Sequence, residues 1–343
     1  MRTCEVGRLL GLFGALSVLG LAAPLPAEAA GEVNREVVFS EYSDESTSPE
    51  IARRTLSPLT ALELERHIIS AGKTMIQQPI NLAEEHFVVY VPASCPPRGC
   101  ALLVFVPPWE EAQIPAGWSA VLDRYEVIFV SAARSGNNQS VFDRREPLAL
   151  LAAHNMKQRY QIDPQRVYIG GFSGGARVAL RLALAYPDVY AGAFLNAGSD
   201  EIGNAQTPLP PKELFLKFQK THLVYTTGEA DTLQLGADMA SIASVRKWCA
   251  FDIHDHIERS VGHDVASSTT LAWALGALLH AAPSDPTRMS KCTQALEEEL
   301  NSKLSEVVHL MEAGRIDEAQ QMLAKIDAHF GGFGAPRINE LAR

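Results

Sequence analysis

Residues 166–180 read Arg166-Val-Tyr-Ile-Gly-Gly-Phe-Ser-Gly-Gly-Ala-Arg-Val-Ala-Leu180. The run from Val167 to Ile169 is β-branched and aromatic, which predicts a short buried strand. Apolar residues with helical spacing follow Gly175 as far as Leu184. A strand, a Gly-x-Ser-x-Gly turn and a helix in this order predict a nucleophile elbow, in which a sharp, strained turn exposes the serine hydroxyl.

The glycines of this turn have a steric role. Gly171 and Gly175 lie two residues on either side of Ser173, where a side chain would collide with the turn, so the missing Cβ supplies room. The Gly174 N–H at the helix N-terminus is the first predicted donor to a developing oxyanion. The alternative interpretation is an ordinary glycine-rich strand-to-helix turn.

Composition and the N-terminus limit the possible classes of protein. The chain has 343 residues, of which 47% are hydrophobic, and a net charge of −10. This charge argues against nucleic acid or an anionic membrane surface as a partner. Residues 1–29 carry Arg2 and Arg8, an apolar run to Leu21 and a small-x-small site at Ala27-Glu-Ala29, so we predict a signal peptide and an exported protein, periplasmic or secreted. An uncleaved anchor is the alternative.

Four cysteines remain beyond the predicted signal peptide. An even number in an exported chain suggests two disulfides, with three possible connectivities. We favour Cys95–Cys100, which closes a small loop, and Cys249–Cys292, which ties the C-terminal helices to the sheet. Free buried thiols are the alternative.

Strand and helix patterns alternate along most of the chain. Strands are expected at 85–92, 101–106, 126–131, 167–169, 191–196, 222–226 and 251–258, and helices at 59–72, 146–160, 214–218, 237–248 and 267–281. This alternation predicts an α/β fold with a mostly parallel, doubly wound sheet. We divide the mature chain into an N-terminal arm at 30–84, irregular over 30–58 and helical over 59–72, a core domain at 85–283, and a C-terminal helical hairpin at 284–343 that packs on the body or docks a partner.

A serine hydroxyl needs a base to activate it and an acid to orient that base. Asp231 follows the strand ending at Thr226, and His263 follows the last strand, which gives the chain order serine, acid, base. Both positions lie beyond carboxyl ends of strands, where such groups converge. Glu229 and Asp238 are rival acids. The histidines within the last strand are expected to be surface residues of the sheet (His254 and His256).

The second oxyanion donor is expected from the loop after Val106. Pro107 and Pro108 have no N–H, so the Trp109 N–H is the first available donor. The Trp109 indole, Phe172 and Arg134 are the predicted substrate-binding side chains, although Trp109 could equally be a packed aromatic and Arg134 part of a polar surface loop.

Several stretches now resemble a known group: 87–92, 162–175, Tyr186 to Tyr190, Gly228 to Asp231, and Gly262-His263. The chain resembles the secreted α/β-hydrolases of the polyhydroxybutyrate-depolymerase and feruloyl-esterase-like group over about residues 85–283. The resemblance implies an α/β-hydrolase fold and ester hydrolysis through an acyl-enzyme, without cofactor or metal. It also implies that Ser173 is the nucleophile, Asp231 the acid and His263 the base.

The chain departs from this group at Pro107-Pro108, where members usually carry His-Gly, and it lacks an appended polymer-binding module. We therefore expect an exported serine carboxylesterase acting on a small or oligomeric ester, with no stable membrane insertion once the signal is removed. A peptidase on the same fold is one alternative. A non-catalytic exported binding protein with a degenerate oxyanion hole is the other.

Overall fold

A computed structural model describes residue 1, residues 30–280 and residues 285–342. The predicted signal peptide, apart from Met1, and its cleavage site lie outside the described residues, as does the start of the predicted C-terminal segment at Ser284.

One sheet of eight strands organises the described chain, in the order β1-β2-β4-β3-β5-β6-β7-β8. All pairings from β4 to β8 are parallel, and β1 and β2 join antiparallel at one edge, so the predicted mostly parallel sheet is confirmed. The strands are β1 Glu32–Val37, β2 Phe87–Val91, β3 Cys100–Val106, β4 Val127–Ala132, β5 Ile162–Phe172, β6 Gly192–Asn196, β7 His222–Gly228 and β8 Ile253–Glu258.

Helices cover both faces of the sheet, so the central strands are buried on both sides. In β3, Leu102 and Val104 pack into one core, while Leu103 and Phe105 pack into the other, as the two-residue period of a strand requires. The helices are α1 Ser48–Thr55, α2 Pro58–Ser70, α3 Trp118–Tyr125, α4 Glu146–Arg159, α5 Gly174–Ala185, α6 Lys212–Phe218, α7 Thr232–Lys247, α8 Ser268–Leu279, α9 Pro286–Glu312, α10 Ile316–Phe330 and α11 Ala335–Leu341. None of the described helices is long and apolar enough to cross a membrane.

The expectation that residues 30–58 are irregular is wrong. Strand β1 pairs with β2 through backbone hydrogen bonds, and its mostly exposed side chains carry no alternating apolar pattern. Helix α1 begins with a proline in its first turn and buries Ile51 completely. The Arg54 side chain donates to Asp188 Oδ1 at 2.7 Å and lies over the Tyr186 ring, so tertiary contacts hold this helix on the body.

Both expected disulfides are present, Cys95–Cys100 and Cys249–Cys292. The second joins the end of α7 to α9, and it lies beside a buried aromatic contact between Trp248 and Phe330, whose ring centroids are 5.7 Å apart. The C-terminal helices therefore rest on the body through a covalent bond and an apolar contact.

A buried carboxylate also fastens the C-terminal helices to the N-terminal arm. Asp327 of α10 is 4% exposed and accepts from the Ser57 hydroxyl at 2.5 Å and from the Leu59 N–H at 3.1 Å. Burial raises the pKa of the Asp327 carboxyl, although both hydrogen bonds oppose this shift. The Asp327 carboxylate thus joins the C-terminal hairpin to the arm at the start of α2.

Replacing Asp327 with alanine should lower the free energy of unfolding by about 1–3 kcal/mol, since a buried hydroxyl and a buried N–H lose their acceptor. Lys325→Ala on the same helix, where the side chain is exposed, is the control and should change stability little. Chemical denaturation of both variants provides the measurement. Equal stability of the two variants would contradict the prediction.

Candidate active site

The turn between β5 and α5 has the strain that the sequence predicts. Ser173 adopts φ 55° and ψ −124°, a backbone conformation that residues other than glycine rarely adopt. Its N–H donates to Asn196 O at 2.8 Å and its carbonyl accepts from Ala176 N at 2.9 Å. The strained turn is therefore held by hydrogen bonds to the neighbouring strand and to its own helix.

Close backbone packing explains the glycines of this turn. A Cβ at Gly171 would overlap the Gly175 carbonyl, and a Cβ at Gly175 would overlap the carbonyl oxygen of Val106 at the end of β3. The turn thus sits directly against the strand whose loop is expected to complete the oxyanion hole.

Three side chains that are distant in sequence meet at the carboxyl edge of the sheet. His263 Nε2 lies 2.9 Å from Ser173 Oγ, and His263 Nδ1 lies 2.5 Å from Asp231 Oδ2. The Asp231 side chain is 9% exposed, whereas that of His263 is 42% exposed. The imidazole therefore bridges a shielded carboxylate and a serine hydroxyl, and solvent reaches it from one side.

Of the three candidate carboxylates, only Asp231 contacts His263 among the described residues. Glu229 accepts from the Ser260 N–H at 3.2 Å, and Asp238 is buried, where it accepts from the Ser199 N–H at 2.7 Å and from the Thr227 hydroxyl. Burial raises the pKa of Asp238.

Asp231 occupies the N-cap of α7 and accepts from Gln234 N at 3.4 Å. Helix α7 begins at Thr232, five residues before the start expected from apolar spacing, and this earlier start makes Asp231 its capping residue.

The loops that carry Asp231 and His263 are joined to each other. Ala230 N donates to Val261 O at 2.9 Å, and a Cβ at Gly228 would overlap Val261 O. The two strand-internal histidines lie elsewhere: His254 faces Asp252, and the His256 ring stacks on Trp273.

Asn196 supports this arrangement, and the sequence analysis did not identify it. It ends β6, is 3% exposed, and its Oδ1 accepts from Ala266 N at 2.7 Å, while its amide donates to Thr226 O. The Ala266 carbonyl in turn accepts from the indole N–H of Trp118 at 2.8 Å. The loop after His263 is thereby fixed on both sides by buried side chains. The sequence signal that could have identified Asn196 is an asparagine at the end of a predicted strand.

The loop after β3 is held by the loop after β4. Pro108 O accepts from Asn137 N at 3.0 Å, and Glu110 O accepts from Arg134 N at 2.6 Å, so both neighbours of Trp109 are fastened. Within the described part of the chain, neither the backbone N–H of Trp109 nor that of Gly174 donates to another backbone carbonyl.

A buried guanidinium ties the same two loops together. Arg145 is 3% exposed, and it donates to Pro107 O at 3.0 Å and to Ser135 O at 2.9 Å. Burial lowers the pKa of Arg145 to about 10. Sequence reasoning missed this residue, because a charged side chain at the start of a helix gives no sign of burial.

The predicted substrate-binding side chains divide into two groups. The Phe172 ring stacks on the His263 imidazole with centroids 4.9 Å apart, and Trp109 lies 6.2 Å from Phe172. Arg134 instead donates to Glu84 O and pairs with Glu85; like Phe172 and Trp109, it does not line the cavity beside Ser173. Its position beside β2, which the sequence did not reveal, explains the difference.

A cavity of about 910 Å³ opens beside Ser173 and Gly174. Helix α2, the loop after β4, the exposed face of α5 and residues 200–207 form its walls. Among the described residues no group of three or more His, Cys, Asp or Glu side chains is placed to hold a metal ion.

The strand order and the strained serine turn define the fold of this chain as the α/β-hydrolase fold. Residues 130–203, which include Ser173, match the model of the phospholipase/carboxylesterase family. Poly(3-hydroxyalkanoate) depolymerase C of Paucimonas lemoignei is 33% identical over 96 residues, which are 24% of this chain and 23% of the depolymerase. The chain thus spans about a quarter of the length of that relative, and the expected resemblance to esterase-like α/β-hydrolases is confirmed.

Solved structures of similar shape include S-formylglutathione hydrolase from Staphylococcus aureus, with a TM-score of 0.47 and 12% identity over 57% of this chain and 93% of that one. A ferulic acid esterase has a TM-score of 0.44 and 15% identity over 57% of this chain and 92% of its own.

Substituting Gly175 with alanine should distort the serine turn and lower the free energy of unfolding by about 1–3 kcal/mol, because the new methyl group meets a strand carbonyl rather than a movable side chain. Gly236→Ala in α7 is the matched control: nothing lies within 4 Å of its Cβ, and it should raise stability by about 0.5–1 kcal/mol. Thermal unfolding gives both values. A Gly175→Ala protein as stable as Gly236→Ala would refute the close packing.

Proposed function

We propose that the protein is an exported serine hydrolase that cleaves carboxylic esters through an acyl-enzyme. The observation that carries this proposal is the hydrogen-bonded series from Asp231 Oδ2 through His263 to Ser173 Oγ, next to an accessible cavity. A nucleophile, a base in contact with it and an acid in contact with the base are the three groups that such chemistry requires.

In the first half-reaction, Ser173 Oγ attacks the ester carbonyl carbon while His263 Nε2 removes the hydroxyl proton. Asp231 accepts the hydrogen bond from Nδ1, so that Nε2 faces the serine and the imidazolium that forms is stabilised. When the tetrahedral intermediate collapses, the C–O bond to the alcohol breaks and His263 returns the proton to the departing oxygen. The Ser173 ester and a free alcohol result.

Water completes the reaction by the same route. His263 removes a proton from water, whose oxygen attacks the acyl carbon, and the proton then passes to Ser173 Oγ as the acid leaves. In both steps the negative oxygen is proposed to accept from the Gly174 and Trp109 N–H groups, neither of which is used by another described group. Arg145 acts as a positioning residue for the second donor, since it holds the Pro107 carbonyl.

Accessibility favours catalysis over the non-catalytic alternative. A binding protein that merely retained the fold would tolerate a sealed or disconnected serine, whereas here the His263 side chain is 42% exposed and Ser173 lines the cavity. The two disulfides support export, because such bonds persist in oxidising compartments. We further propose that residues 284–343 belong to the hydrolase body, which is supported by the Asp327 and Cys292 contacts.

A fluorophosphonate probe should label the folded protein, and Ser173→Ala should abolish labelling, because the probe reacts with an activated serine. His263→Ala should reduce labelling at least about a hundredfold, since the hydroxyl loses its base. The control Ser305→Ala alters an exposed serine of α9 and should label normally. Absence of labelling in correctly folded wild-type protein would refute the proposal.

The peptidase alternative is tested by substrate choice. We expect kcat/KM for a 4-nitrophenyl ester to exceed that for aminoacyl 4-nitroanilides by at least about a hundredfold, because the anilide nitrogen has to be protonated before it departs, whereas 4-nitrophenolate leaves as an anion. Both activities should disappear in Ser173→Ala. Faster turnover of the anilides would assign the protein to the peptidases.

A further inference from the structure

The cavity beside Ser173 is bounded by the serine turn, and the His263 imidazole lies outside its wall. Ser173, Gly174 and Arg177 line the cavity, whereas His263 and Trp109 do not. The proposed mechanism requires His263 to protonate the departing alcohol, so the alcohol part of an ester has to lie on the side of His263. The acyl part then occupies the cavity.

Part of the cavity wall is apolar and suits an aliphatic chain. The wall contains Leu56 and Leu64 from the N-terminal arm, Val141 and Phe142 from the loop before α4, and Val178 from α5. The arm therefore contributes directly to the surface that an acyl chain would contact.

Arg177 is the charged side chain in this wall with unused hydrogen-bonding capacity. It follows Ser173 by one helical turn, and four residues of helix rise about 6 Å. A guanidinium carries five N–H donors. Among the described residues its one hydrogen bond is a long contact of 3.4 Å from Nη2 to Gln234 Oε1. Its buried Nε forms an ion pair with Asp200 Oδ1 at 3.0 Å without hydrogen-bond geometry, while the side chain as a whole is 43% exposed.

The other charged groups of the wall are already engaged. Arg145 donates to two backbone carbonyls, and Arg181 donates to Glu146 Oε1 and to Gln206 O. Asp143 accepts from the Ser140 hydroxyl. Asp200 remains as the partial counter-charge of Arg177, and its side chain is 39% exposed.

We propose that Arg177 binds a carboxylate at the far end of the acyl chain, so that the preferred substrates are esters of dicarboxylic or otherwise anionic acids. This inference rests on the proposed function and extends it to a substrate class. The incoming carboxylate accepts from the terminal Nη groups of the partly exposed guanidinium in a charge-assisted contact, because Nε is buried against Asp200. Asp200 opposes binding by like-charge repulsion and by competing for the guanidinium.

The test compares two acyl groups of equal length, 4-nitrophenyl hydrogen adipate and 4-nitrophenyl hexanoate. The adipoyl chain separates its ester carbonyl from its carboxylate by about the rise of one helical turn. The measured quantity is the ratio of kcat/KM for adipate to that for hexanoate. Arg177→Gln should lower this ratio about tenfold, which is the loss expected for a charge-assisted hydrogen bond. Asp200→Asn should raise it severalfold.

The matched control is Arg315→Gln, which removes an arginine from an exposed pair with Glu318 and should leave the ratio unchanged. A ratio unaffected by Arg177→Gln, or lowered by Asp200→Asn, would overturn the proposal. An acetyl ester with an anionic alcohol, 4-acetoxybenzoate, should be indifferent to Arg177→Gln relative to phenyl acetate. Sensitivity there would place the alcohol in the cavity and contradict the assignment.

Binding separates this inference from the proposed function. Monomethyl adipate should bind Ser173→Ala protein in calorimetry, and adding Arg177→Gln should weaken binding about tenfold. If hydrolysis fails while this difference persists, the carboxylate site stands and the esterase proposal falls. If the hexanoate ester is hydrolysed and Arg177→Gln has no effect on the adipate ester, the esterase proposal stands and the carboxylate site falls.

Discussion

The candidate site depends on the strained turn at Ser173. Its positive φ exists only because Gly171 and Gly175 bring the start of α5 against the end of β3, where any Cβ would strike a backbone carbonyl. Strain of this kind persists where surrounding structure over-determines it. Here a hydrogen bond to Asn196 and the packing of β3 supply that constraint, and the result directs the hydroxyl out of the sheet edge.

The same edge gathers the other proposed catalytic groups, because parallel strands end there together. The Asp231 loop and the His263 loop hydrogen-bond to each other, and Asn196 fastens the second of them to β6. These hydrogen bonds hold the loop that carries the His263 imidazole.

The segments outside the central sheet contribute to the site and to its stability. The N-terminal arm supplies part of the cavity wall, and the same arm is joined to the C-terminal helices through Asp327. The cavity therefore lies where the arm and the sheet domain meet. Substitutions in the arm would change the wall of this cavity without touching Ser173 or its partners.

The sequence by itself determined the serine turn and most of the alternation of strands and helices, and it proposed Asp231 and His263 as acid and base, because periodicity and glycine spacing are local properties of the chain. It also indicated the cysteine pairs.

Local patterns failed for β1, whose exposed residues gain order only from pairing with β2, and for the start of α7, where Asp231 caps the helix. Only the tertiary structure decided that Asp231 rather than Asp238 contacts His263, that Arg134 turns to Glu85, and that Arg145 is buried between two loops. Those outcomes depend on contacts between segments far apart in the chain, which no local spacing encodes.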